Sequence, residues 1–205
     1  MVALSPALCT RKRLSWGQTT SGPLGVMLHS TDPEPRAPGS DSLPRLDFRA
    51  GGLNQPDVLA LLRTHLHSAT EHSPADSIHA LDLDGLRAPD MQFWSVWAKT
   101  DLVGMCALKS LDDEHAEIKS MRTVATWRRR GVGDAMMAHL LATAVASGLR
   151  RLSLETGTAA AYAPARRLYA RHGFTPCPPF AGYRLDPHSC YMRCELPAAG
   201  SPTPD

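Results

Sequence analysis

A chain of 205 residues with 43% hydrophobic content can bury one sizeable core, and its length favours one domain with an appendage. A formal net charge of +2 excludes a dedicated nucleic-acid binder, which needs a concentrated excess of Lys and Arg, and no apolar run approaches the roughly 18 residues of a membrane span. Cys9, Cys106, Cys177, Cys190 and Cys194 form no Cys-x-x-Cys pair and are odd in number, and the N-terminus lacks a signal peptide's apolar centre, so a cytoplasmic protein with free thiols is expected.

Residues 1–44 mix Pro, Ser, Gly and Thr, show neither a 3.6- nor a 2-residue period, and carry one basic cluster, Arg11-Lys12-Arg13. Too little apolar surface recurs on one face to offset ordering entropy, so a disordered extension is expected there. The folded domain is expected over 45–197, opening with the alternating strand Leu46-Asp47-Phe48-Arg49 and ending before a flexible tail at 198–205. Asn54 then stands where a helix cap is needed, Pro56 suits the first turn, and Asp57 lies near the positive end of the helix dipole. Val58, Leu61, Leu62, Leu66 and Ala69 share one face at helical spacing, with His65 among them. His65, His67 and His72 do not make a metal set, because i and i+2 point apart on a helix and no Cys or carboxylate completes it. Ser73-Pro74 breaks the helix, and residues 76–86 are expected as a second short helix or an ordered loop.

Three strands are expected at 91–98, 102–109 and about 114–124, with turn signals at Asp101 and at Asp112-Asp113, and an antiparallel meander is the economical topology. Simple alternation in the third strand places Glu117, Lys119, Met121 and Thr123 on one face. A charged stripe in a central strand is unfavourable unless it faces a cleft.

Arg128-Arg129-Arg130-Gly131-Val132-Gly133 follows, a basic, glycine-containing turn running into a strongly periodic helix. The first N–H groups of a helix lack intrahelical acceptors and lie at the positive end of its dipole, so the turn reads as a phosphate cradle. Its parts are the amides of Gly131, Val132, Gly133 and Asp134, with three arginines adding positive charge and two glycines removing Cβ atoms from the approach. No Gly-Lys-Ser/Thr follows, which excludes an ATP-binding loop. Val132, Met136, Met137, Leu140, Leu141, Ala144 and Val145 recur at helical spacing up to Gly148, so the methionines are core.

Arg151-Leu152-Ser153-Leu154-Glu155 reads as a strand followed by Thr156-Gly157-Thr158, and Pro164 and Gly173 bound the last helix, with Leu168 and Tyr169 on its inner face. Phe174-Thr175 starts a strand, the prolines of 176–179 suit a loop over the site, and Ser189 to Leu196 forms the final strand.

Arg128-x-x-Gly131-x-Gly133 matches the Arg/Gln-x-x-Gly-x-Gly/Ala signature of the GCN5-related N-acetyltransferase superfamily. The order of elements around it, ending in Leu168-Tyr169-x-x-x-Gly173-Phe174, is also similar to that family's, over about three quarters of the chain. The resemblance implies a mixed α/β fold with a largely antiparallel central sheet and flanking helices. It implies acetyl-coenzyme A as co-substrate and no metal, with the diphosphate in the loop and Met121, Arg122 and Thr123 alongside the pantetheine arm. Homodimers are common in the family.

The implied chemistry is direct attack by an amine of a small-molecule or peptide acceptor. Such an amine, with a pKa of about 10.4, must lose a proton before it attacks a thioester. Ala116-Glu117-Ile118 stands thirteen residues ahead of Arg130, where the histone-acetylating branch carries a strand glutamate, so Glu117 resembles that base. The bland alternative is a Glu117 paired with Lys119 or an arginine. Glu155 is the other candidate base, or an anchor for the acceptor's ammonium. Tyr169 occupies the family's position for a phenol that protonates the departing thiolate. Many members place an asparagine soon after the Glu155 strand, and this chain has none, so a Thr hydroxyl or a backbone group is expected to substitute. Pro179-Phe180-x-x-Tyr183 and Asp186-Pro187-x-Ser189 resemble a subset of bacterial small-molecule acetyltransferases, in which Tyr183 would shape the acceptor pocket. Cys106 lies in an apolar run without a base, which disfavours a covalent route. The second reading is a non-catalytic acyl-coenzyme A sensor or interaction module on the same fold.

Overall fold

Apolar runs bounded by turn residues pair into one sheet in the computed structural model, which describes residues 44–74, 77 and 79–197. The extension expected over 1–44, apart from Pro44, and the tail expected at 198–205 lie outside the described residues. In chain order the elements are β1 (Leu46–Ala50), α1 (Pro56–His72), α2 (Leu83–Leu86), β2 (Met91–Ala98), β3 (Asp101–Ser110), β4 (His115–Thr123), α3 (Val132–Ala146), β5 (Arg151–Gly157), α4 (Ala163–Arg171), β6 (Thr175–Pro176) and β7 (Ser189–Glu195). The sheet order is β1-β2-β3-β4-β5-β7-β6, antiparallel throughout except for the parallel pair β4 and β5. Among the described residues, no helix is long and apolar enough to cross a membrane.

Helices cover both faces, which is why β2 and β3 read as continuous apolar runs rather than alternating ones. On one face Val58, Leu61 and Leu62 of α1 and Leu86 of α2 pack on Phe93, Trp97, Met105 and Ala107. On the other, Val132, Met136, Met137 and Leu140 of α3 and Tyr169 of α4 pack on Val96, Cys106, Ile118, Leu152 and Leu154. Pro176 falls on β6, a two-residue edge strand, where a missing N–H costs no ladder bond, and Pro178 and Pro179 lie in the loop after it.

Two local expectations change. Gln55, not Asn54, is the cap residue of α1, and no side chain caps it. Asn54 instead accepts a hydrogen bond from the Arg87 guanidinium at 2.6 Å, a charged donor that competes well with a backbone amide. The second helix is only Leu83–Leu86, started by Asp82, whose carboxylate accepts from the Gly85 N–H at 2.9 Å.

The strand before the cradle carries the larger correction. Met105 pairs with Arg122 but Ala107 pairs with Lys119, so β4 has one extra residue opposite Cys106, and Ser120 sits at φ 49. This bulge shifts the alternation. Met121 therefore packs against the α3 side of the sheet, away from Glu117 and Lys119. Arg122 takes its place beside Lys119, both facing His65 of α1. The stripe is Glu117, Lys119 and Arg122, and Met121 and Thr123 leave it.

Burial holds three histidines below their ordinary pKa. His65 is pushed down to about 4, by burial and then by Arg122 and Lys119. His115, bonded to Ser153 at 2.8 Å, is lowered by burial and then chiefly by Arg151. His139 is lowered by burial, stacked on Phe48 with ring centres 4.1 Å apart. Below about pH 6.5 the unfolded chain therefore binds protons that the folded chain refuses, and stability falls with pH. The thermal midpoint is expected to drop between about pH 7.5 and about pH 5. His139→Phe keeps a ring in the stack and removes the titrating nitrogens, so it should shrink that drop. A midpoint flat across this window would refute the account.

Candidate functional site

β4 and β5 pair only from His115–Arg151 to Ile118–Leu154, yet β4 runs on to Thr123 and β5 to Gly157. The two strands part there and leave backbone groups facing each other without a ladder. A cavity of about 830 Å³ fills the gap. It is lined by Ser120, Met121, Arg122 and Thr123 of β4, by Glu155, Thr156 and Gly157 of β5, and by both helical layers, including His65 of α1 and Tyr169 of α4. One space thus reaches both faces of the sheet.

At one end the cavity meets the start of α3. Gly131 is the cap residue, in the left-handed region at φ 85, and no side chain caps the helix, so its first amides are left without a side-chain acceptor. Arg128, Arg129, Gly131 and Gly133 line this end. Two expected members turn elsewhere: Arg130 lies over the Trp127 ring at 5.3 Å, and the Val132 side chain is 1% exposed in the core, leaving only its amide. Asp134 lines the cavity, but its carboxylate takes hydrogen bonds from Arg171 and from His172, each at 3.0 Å. Burial opposes its charge, but the bonds from His172 and Arg171 prevail and hold the carboxyl below its usual value. Gly133 has a packing duty as well, since a Cβ there would stand 3.1 Å from Leu168 of α4.

The other end separates the two candidate carboxylates. Glu117 is 2% exposed and does not line the cavity; its Oε1 accepts from the Tyr183 hydroxyl at 2.6 Å and from Lys119 Nζ at 3.2 Å. Lys119 also donates to the Tyr183 hydroxyl oxygen at 2.8 Å and to the His79 carbonyl at 3.1 Å. The geometry is that of a buried, saturated ion pair, the bland alternative for Glu117. Burial and then Glu117 raise the Tyr183 phenol. Tyr183 lines a neighbouring cavity of about 580 Å³, which shares Ser77 and His79 with the first.

Glu155 does line the main cavity and accepts from Ser189 at 2.7 Å. Burial raises its carboxyl above the usual range, against the pull of Ser189, His79 and Lys119. Tyr169 lines the same cavity; burial, then the charge of Glu155, push its phenol up to about 12. A carboxylate of raised basicity and a phenol that stays protonated face one space.

Other contributors were silent in the sequence. After β5, where a Thr hydroxyl or a backbone group was expected to serve, Arg166 of α4 donates to the carbonyls of Gly157 at 2.5 Å and Ala159 at 3.1 Å. Of the two threonines there, Thr158 donates to the Pro187 carbonyl at 3.0 Å, and Thr156 lines the cavity. Tyr162 rests its ring directly on Gly157 and lines the cavity. A contact through space between segments far apart in the chain leaves no periodic trace.

A family model described as the acetyltransferase (GNAT) family matches residues 58–174. Over 149 residues the chain is 49% identical to the uncharacterized N-acetyltransferase YedL of Escherichia coli strain K12, covering 73% of this chain and 94% of that one. Over 151 residues it is 50% identical to the uncharacterized N-acetyltransferase YsnE of Bacillus subtilis strain 168, covering 74% and 100%. The crystal structure of an acetyltransferase from Streptococcus agalactiae 2603 superposes with a TM-score of 0.57 at 20% identity, covering 74% of this chain and 98% of that one, a likeness of fold.

The saturated pair yields a stability prediction. Lys119→Met leaves Glu117 buried without its cation and should lower unfolding free energy by about 3–5 kcal/mol. The double variant Glu117→Gln with Lys119→Met should recover most of that loss in urea unfolding. Equal losses in the single and double variants would show that the two charges are not coupled.

Proposed function

The chain belongs to the acetyltransferase (GNAT) family and is an acetyl-coenzyme A-dependent acyltransferase, and from that premise we propose that it acetylates a primary amine by direct attack, with Glu155 as base and Tyr169 as acid. The observation that carries this reading is the continuity of the cavity: uncapped helix amides stand at one end, and Glu155 and Tyr169 face the same space.

In this reading the amides of residues 131–134, with Arg128 and Arg129, hold the diphosphate of the co-substrate. The unpaired edge of β4 at Met121 and Thr123 offers backbone groups to the amides of the pantetheine arm. The acceptor's ammonium gives a proton to the Glu155 carboxylate, its nitrogen bonds to the thioester carbon, and a tetrahedral oxyanion forms. A backbone N–H of β4 near the bulge is the natural donor to that oxyanion. The C–S bond then breaks, its electron pair leaves on sulfur, and the Tyr169 phenol protonates the thiolate; the second proton of the acylated nitrogen returns through water to the Tyr169 phenolate, and Glu155 releases the first to solvent.

Glu155 is preferred to Glu117 for two reasons. It has access to the cavity, and burial raises its proton affinity toward working pH, where a base is most effective. The acceptor is a small molecule or peptide in this reading.

Glu155→Gln should lower kcat about 100-fold or more in a thiol-release assay and remove the acid limb of the pH profile. Tyr169→Phe should lower kcat by about tenfold. Both variants should keep wild-type affinity for coenzyme A in calorimetry. If Glu117→Gln, and not Glu155→Gln, removes the acid limb, the base is Glu117. Coenzyme binding with no thiol release across an amine panel would instead indicate a sensor.

A further inference from the structure

The wall that β4 and α1 give to the cavity carries donors without acceptors. Arg122 lines the cavity and enters no ion pair or side-chain hydrogen bond among the described residues. The charged group acting on it most strongly is another cation, Arg128, and Glu71, the carboxylate that acts on it, is half-exposed and paired with His67 at 3.2 Å. The Ser120 hydroxyl, on a residue 8% exposed in the same cavity, has no partner at all. Lys119 is already saturated by Glu117, Tyr183 and the His79 carbonyl, so it has nothing left to offer.

Two uncommitted donors, one of them charged, leave this wall complementary to an anion. Across the parting of the strands stands Glu155, complementary to an amine. The site is therefore polarised, cationic on the β4 side and anionic on the β5 side. A polyamine would bring further positive charge against Arg122, and a peptide N-terminus has an amide where the anion belongs. A free amino acid satisfies both walls at once, and a planar guanidinium holds a carboxylate through two parallel bonds.

We propose that the acceptor is a small amino-carboxylate whose amine is presented at Glu155 and whose carboxylate is held by Arg122 and Ser120. This inference rests on the acetyltransferase reading above and names the substrate class of that site. Arg122 is then a specificity residue that touches the acceptor and makes no contact with coenzyme phosphate.

The test uses the full chain with acetyl-coenzyme A and a panel of L-amino acids, each beside its own carboxamide, which keeps the amine and removes the negative charge. Thiol release should favour at least one acid over its amide by about 100-fold in kcat/KM, because the amide leaves the buried donors without an anion. Arg122→Gln should erase that preference, mainly through KM, with coenzyme A affinity unchanged in calorimetry, and Arg122→Lys should restore part of it. Amides turned over as well as acids would overturn the substrate class while leaving the acetyltransferase reading intact. Weakened coenzyme A binding in Arg122→Gln would overturn it differently, by assigning the guanidinium to a phosphate. Coenzyme binding with no thiol release from acids, amides or simple amines would overturn both readings together.

Discussion

Two parallel strands that stop hydrogen bonding halfway along their length are the constraint on which the rest of this protein depends. β4 and β5 leave each other after Ile118 and Leu154, and the loss of ladder bonds is tolerated because each strand has another partner. β5 stays paired to β7 as far as Gly157, and β4 stays paired to β3 as far as Thr123. The opening is thus held by sheet on both sides, and the two packed faces cannot close it without breaking those ladders. A site built on rigid strands keeps its geometry better than one built on loops, and here the loops only complete the walls.

Much of this was legible in the chain because it rests on local chemistry. The apolar face of α1, the turn at Gly131 and the run through Met136 and Met137 follow from helical period and from the orphan amides of a helix start. The bulge at Ser120 was not legible. A period of two puts Glu117, Lys119, Met121 and Thr123 on one face, and nothing in Ile118-Lys119-Ser120-Met121 announces an extra residue. The consequence was an error in which residues share a face, since Met121 crosses to the α3 side and Arg122 comes round to the side of Lys119 and His65. The contribution of Arg166 was invisible for a related reason. Its bonds to Gly157 and Ala159 join a helix to the loop before it, and any of several polar residues at any of several positions could have made them.

Two carboxylates one strand apart illustrate how environment assigns roles. Glu117 is held by a cation and a phenol, with its charge satisfied inside the sheet. Glu155 has one hydroxyl partner and a cavity in front of it, so burial acts on it with less compensation. The Glu117–Lys119–Tyr183 cluster acts instead as a latch, because Tyr183 belongs to the β6–β7 loop and His79 to the segment before α2. It ties both covering segments to the floor of the sheet, and so fixes the walls around Glu155.

The proposed proton path also explains why the acid and base tolerate each other's company. Burial, and then the negative charge on Glu155, raise the Tyr169 phenol, and a phenol pushed up to about 12 stays loaded with its proton at neutral pH. The two groups do not compete for one proton, because burial raises both and leaves the phenol's affinity far above the carboxyl's. In that proposed path, as the amine surrenders its proton to Glu155, the smaller of the two causes that raise the phenol is neutralised, and the Tyr169 proton becomes easier to release when the thiolate leaves. The coupling between the two groups therefore runs in the direction of the reaction.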